Sequence, residues 1–151
     1  MRASIIAAVS AALIGVTAPA WAVSSSYRAS STQSPDALWA KVGDFCGISN
    51  WHPAVASCSL SADGKTRTLA LKGGGEIVEH LVSRNNKKRS YTYTIVKSPF
   101  PVSDYRSTIH VAPATGGSAL VWTGTYKAKG ASDADAKKVI DGVYAGETLT
   151  K

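Results

Sequence analysis

Four stretches decide how this chain folds: Glu76–Val82 (EIVEHLV), Tyr91–Val96 (YTYTIV), Asp104–His110 (DYRSTIH) and Val121–Lys127 (VWTGTYK). Each alternates between two kinds of side chain with a period of two, the period of a strand. Over the whole run from Arg67 to Lys127, one face carries Leu69, Leu71, Ile77, Glu79, Leu81, Tyr91, Tyr93 and Ile95. Tyr105, Ser107, Ile109, Trp122, Gly124 and Tyr126 continue it. The other face carries Thr68, Ala70, His80, Thr92, Thr94, Asp104, Arg106, Thr108, His110, Thr123 and Thr125. One dry and one wet face define an antiparallel sheet covered on one side. The dry face is rich in aromatics with polar tips and holds a carboxylate and a hydroxyl. A sheet curving around such residues encloses a pocket for a mostly apolar molecule better than it builds a solid core.

Working outward, turn signals at Ala62-Asp63-Gly64, Asn85-Asn86, Ser98–Pro101 and Thr115-Gly116-Gly117 separate the strands. Strands are expected at 55–60, 66–72, 76–83, 89–96, 102–111 and 119–127, with a first one at 25–31. After that first strand Ser34 caps a helix, Pro35 occupies its first turn, and Leu38, Trp39 and Val42 form its apolar stripe. A short helical turn at 47–51 ends at Pro53. The last element is a helix capped by Ser132, whose stripe of Ala136, Val139, Ile140, Val143 and Tyr144 can close over the dry face. The fold class is α+β.

Of the 151 residues, the first 22 read as an export signal. Arg2 starts it, Ile5–Val16 is apolar, and Ala20-Trp21-Ala22 is a small-x-small cleavage site. Residues 23–151 then form one ligand-binding domain that is periplasmic or secreted, with no integral membrane segment after cleavage. The net charge of +7 favours acidic partners or anionic lipid without specifying one, and nucleic acid is not expected for an exported protein. The cluster of Arg84, Lys87, Lys88 and Arg89 flanks a hairpin turn and reads as its solvated tip. Cys46 and Cys58, in an oxidising compartment, point to a disulfide, the alternative being two buried thiols. No third soft ligand stands at a zinc-like spacing, so neither a metal nor a cofactor is expected.

The order of elements, together with Ser34-Pro35 before Leu38-Trp39, Asp44-Phe45 to Trp51-His52-Pro53, Gly75–Leu81, Pro101–Tyr105 and Trp122-Thr123-Gly124, resembles a known family. It is the polyketide cyclase/dehydrase and lipid-transport branch of the START-like (SRPBCC), helix-grip superfamily. The resemblance implies a seven-stranded antiparallel sheet wrapped around a long C-terminal helix, with two short helices between strands 1 and 2. It also implies an apolar cavity, lined at the positions of Glu79, Tyr105 and Ser107, and a loop at 98–102 over its mouth. Within the family the chain is similar to small exported proteins, among them an accessory protein of bacterial methanol oxidation.

Glu79 is the sharpest candidate for chemistry, because its phase with Ile77 and Leu81 points it into the pocket. A buried carboxyl must be hydrogen-bonded or have a raised pKa. It contacts a ligand, or it bonds to Tyr91, Tyr93 or Tyr105. His80 and His110 are out of phase and face solvent, and His52 packs a loop. The expected ligand contacts are Leu69, Leu71, Ile77, Glu79, Tyr91, Tyr93 and Ile95, with Tyr105, Ser107, Trp122, Gly124, Tyr126, Ile140 and Tyr144 completing the set. The leading expectation is an exported binding protein for a small hydrophobic or lipid-like ligand held between sheet and helix. A cyclase or dehydratase using Glu79 as its catalytic acid or base, and a periplasmic accessory protein docking an acidic redox partner, are the alternatives. On the binding expectation, Glu79→Gln keeps the fold and weakens the ligand.

Overall fold

Strand periodicity and turn chemistry together produce a sheet whose strand order is β1-β7-β6-β5-β4-β3-β2, antiparallel throughout. The computed structural model describes residues 22–146, so the expected export segment, apart from Ala22, lies outside the described residues. The strands are β1 (Val23–Ser31), β2 (Val55–Leu60), β3 (Thr66–Leu71), β4 (Glu76–Asn85), β5 (Ser90–Lys97), β6 (Val102–Ala114) and β7 (Gly117–Ala128). Helix α1 (Pro35–Val42) and a 3₁₀ turn (Gly47–Asn50) link β1 to β2, and α2 (Asp133–Ala145) follows β7. This is the helix-grip arrangement, a seven-stranded sheet wrapped around its last helix. Among the described residues no helix is long and apolar enough to cross a membrane.

Both helix starts follow from their caps. Ser34 Oγ accepts from Ala37 N at 3.3 Å and Ser132 Oγ from Asp135 N at 3.1 Å, each satisfying a donor that the helix leaves open. Against the dry face α2 buries Ala136, Ile140 and Tyr144. Val139, expected on that stripe, is 38% exposed. It lies about 100° around the helix from Ile140, at the margin of the contact.

One irregularity aims a side chain that plain alternation would misplace. In β6 the register shifts between Ser103 and Arg106, where Asp104 has φ 50°, so Val102 and Tyr105 both turn inward although three positions apart. In β4 the register against β5 shifts between Val78 and Glu79 and between Leu81 and Ser83, and Val82 keeps the outer, exposed face that its phase implies. The Cys46–Cys58 disulfide ties the segment before the 3₁₀ turn to β2, with Cα atoms 5.5 Å apart. In the chain-entropy view, closing so short a loop stabilises the fold by roughly 3 kcal/mol.

Candidate functional site

The β3–β4 register places Arg67 directly opposite Glu79. Arg67 is fully buried, and its Nε donates to Glu79 Oε2 at 2.6 Å. Its Nη1 donates to the Phe45 carbonyl, and the guanidinium lies 4.2 Å from the Phe45 ring centroid and 5.1 Å from that of Tyr93. Nη2 has no hydrogen-bond partner among the described residues. Glu79, expected to bond to tyrosines or to a ligand, is therefore held first by a buried cation. Burial raises its carboxyl above the ordinary value, the charge and hydrogen bond of Arg67 oppose that shift, and the 2.6 Å contact pairs the two as ions. Burial alone would lower the pKa of Arg67, but Glu79 and the neighbouring phenols more than offset it, and the net shift is upward.

Next to this pair the sheet and α2 leave a cavity of about 140 Å³. Leu69, Leu71, Ile77, Glu79, Tyr93 and Ile95 form its sheet wall. Tyr105 and Trp122 floor it, and Ile140 and Val143 cover it from α2. Phe100, from the loop between β5 and β6, contributes a ring, and Ile48, His52, Ala54 and Val55 close the remaining side. Glu79 is the one carboxylate in this lining. Its Oε2 is taken by Arg67, and among the described residues no protein donor meets its other oxygen.

Tyr91, Ser107, Gly124, Tyr126 and Tyr144, expected from sequence as ligand contacts, lie outside the cavity lining. Tyr91 packs against Trp39 and Phe45, under α1. The others fill the opposite side of the interior with a hydrogen-bonded cluster. Tyr105 and Tyr144 hydroxyls are 2.6 Å apart, Tyr144 meets Ser107 Oγ at 3.0 Å, and Ser107 donates to the Thr123 carbonyl at 2.7 Å. Trp122 Nε1 donates to both Ser107 Oγ and Tyr93 Oη, and Ser25 pairs with Tyr126 at 2.6 Å. Gly124 serves the close approach of the helix, because a Cβ there would collide with the Tyr144 hydroxyl. Burial pushes the phenols of Tyr93 and Tyr105 well up and that of Tyr144 up to about 12, so all three keep their protons at neutral pH.

His52 does more than pack a loop. Ala54 N donates to its Nδ1 at 3.2 Å, which fixes the proton on Nε2. That nitrogen then donates to the Val143 carbonyl in the last turn of α2 at 3.0 Å. Burial lowers the pKa of the ring, which is neutral in this role. His80 is exposed and His110 half-buried on the outer face, as their phase implies.

Fold and site thus define a helix-grip protein with a small, mostly apolar cavity under its C-terminal helix. The family model described as polyketide cyclase/dehydrase and lipid transport matches residues 22–150, and the chain belongs to that family. Among solved structures, the protein XoxI from Bacillus cereus is 35% identical, with a TM-score of 0.77 over 83% of this chain and 88% of that one. A putative uncharacterized protein from Bacillus thuringiensis is 34% identical, with a TM-score of 0.76 over 83% of this chain and 91% of its own. A Thermobifida fusca protein is 28% identical, with a TM-score of 0.68 over 82% and 85%. No curated protein matches the chain significantly.

Proposed function

We propose that the protein is an exported binder of a small, mostly apolar molecule held between the sheet and α2. The observation that carries this reading is the cavity itself: about 140 Å³, walled by aliphatic and aromatic side chains, with a single carboxylate at its polar end. A volume of this order suits a molecule of about six to ten non-hydrogen atoms, far short of a diacyl lipid. Two features favour binding over cyclase or dehydratase chemistry. Arg67 holds one oxygen of Glu79 as its counter-ion, which lowers the proton affinity of the carboxylate, and His52 has both ring nitrogens engaged by the backbone, so the imidazole is not free as a general base. Docking of an acidic redox partner has the net charge behind it, but Arg89, Lys97, Lys127 and Lys137 already pair with Asp36, Glu76, Asp104 and Asp141.

Native mass spectrometry of the protein purified from its own periplasm tests both export and binding. The expected result is a mature chain beginning at Val23 that carries one small non-covalent adduct, absent from an Ile95→Trp variant whose larger ring fills the cavity. A chain retaining Met1, or the same adduct on both proteins, would count against export or against the cavity respectively.

A further inference from the structure

The polar valences left open inside the cavity are few enough to count. Glu79 offers one acceptor oxygen that no donor among the described residues meets, in a side chain only 6% exposed. Tyr93 Oη accepts from Trp122 Nε1 at 3.0 Å, and its own O–H finds no acceptor among the described residues. The two residues are diagonal neighbours on one face, since Glu79 stands opposite Ile95 and Leu81 opposite Tyr93 in the β4–β5 ladder. Tyr105 adds no free donor. Ser107 spends its proton on Thr123 and accepts from Tyr144, which leaves Tyr105 to donate to Tyr144. The cavity thus presents one acceptor and one donor, side by side, in an otherwise apolar enclosure.

We propose that its ligand is a small, uncharged alcohol or phenol whose O–H donates to Glu79 and whose oxygen accepts from Tyr93. The inference rests on the binding function proposed above and narrows it to a chemical class. A hydroxyl has one donor and free lone pairs, so it satisfies both groups at once. A hydrocarbon leaves both unpaired, a ketone leaves Glu79 without a donor, and a carboxylate sets a second negative charge against Glu79. An ammonium group pairs with Glu79 but cannot accept from Tyr93.

Calorimetric titration of the full-length purified protein, extracted beforehand to remove bound material, separates these classes with p-cresol, toluene and 4-methylbenzoate as matched probes. Glu79→Gln would strand Arg67 and threaten the fold, so Tyr93→Phe is the variant of choice; Trp122 Nε1 keeps Ser107 as its acceptor there. The expected result is p-cresol binding at least tenfold tighter than either other probe, with its lead over toluene reduced at least twofold in Tyr93→Phe but not abolished, since the bond to Glu79 remains. Toluene binding as tightly as p-cresol, 4-methylbenzoate binding tightest, or a lead unchanged in Tyr93→Phe each overturns the hydroxyl assignment while leaving a binding cavity. No heat from any of the three overturns the cavity reading itself.

Discussion

The two sides of this interior are built from similar residues and end differently. Towards β6, β7 and β1, the tips of Tyr105, Tyr126 and Tyr144 find one another or a serine, and they lie outside the apolar cavity except for Tyr105. Towards β3, β4 and β5, the wall residues are aliphatic, the polar groups are an ion pair and a phenol, and a void remains. A polar tip is stable inside a protein when its valences are met, and the filled side meets them with protein groups alone. On the hollow side, Glu79 and Tyr93 each keep one valence open. The binding proposed above therefore falls where the same aromatic vocabulary fails to complete itself.

The largest expected effect strikes the hollow side. Arg67→Met removes one member of a fully buried pair and leaves the Glu79 charge uncompensated, which should cost about 3–5 kcal/mol. The double variant Arg67→Met/Glu79→Leu should regain most of that, because the desolvation of both charges goes with them. Urea unfolding reports both, and a single variant within about 1 kcal/mol of wild type would show that the pair does not lock β3 to β4. The same logic revises the expectation that Glu79→Gln keeps the fold untouched, since a glutamine cannot neutralise Arg67.

A smaller effect tests the filled side. Gly124→Ala drives a methyl group into the Tyr144 hydroxyl, whose ring is stacked on Trp122 at 4.5 Å and tied to Tyr105 and Ser107. Tyr144 has nowhere easy to go, so overpacking of about 1–3 kcal/mol is expected. Gly142 is the matched control on the helix. Nothing lies within 4 Å of where its Cβ would stand, and Gly142→Ala should stabilise α2 by roughly 0.5–1 kcal/mol. Thermal unfolding of the two variants should move in opposite directions. Equal and small shifts for both would mean that the filled side is looser than its hydrogen bonds imply.

The contrast between the two sides is only half legible in the sequence. Alternation places every strand and puts Glu79 on the inner face, because a period of two is a local property of the chain. Arg67 obeys the same alternation, two residues before Leu69, but a charge at a strand start reads as solvated until its partner on the next strand is known. The partner depends on register, which turn lengths and bulges decide. Sequence pattern likewise sets Tyr144 and Gly124 among the ligand contacts. Their mutual exclusion of a cavity depends on the depth at which α2 settles, and no local pattern encodes that. Val102 is hidden by the bulge at Asp104, whose φ of 50° no simple periodicity announces.

The smallest expected effect separates the two sides by pH. His52 belongs to the hollow side alone, accepting from the Ala54 amide and donating to the Val143 carbonyl, and burial lowers its pKa from the usual 6.5. In the unfolded chain the imidazole takes up a proton near its ordinary value, while the folded ring resists until the pH is lower. Between those two points the unfolded state binds more protons, so stability is fullest above about pH 6.5 and declines as the pH falls toward the folded value. Once protonated, Nδ1 no longer accepts from Ala54, and that amide loses its partner first. Amide hydrogen exchange, corrected for intrinsic rate, should show Ala54 protection falling as the pH is lowered below about 6.5 while Tyr126, in the β1–β7 ladder, holds. His52→Gln can still donate to Val143 but cannot titrate, and it should flatten the stability change over the same window. Ala54 protection that stays level in the wild type as the solution is acidified would remove His52 as the acid-sensitive link between α2 and the cavity wall.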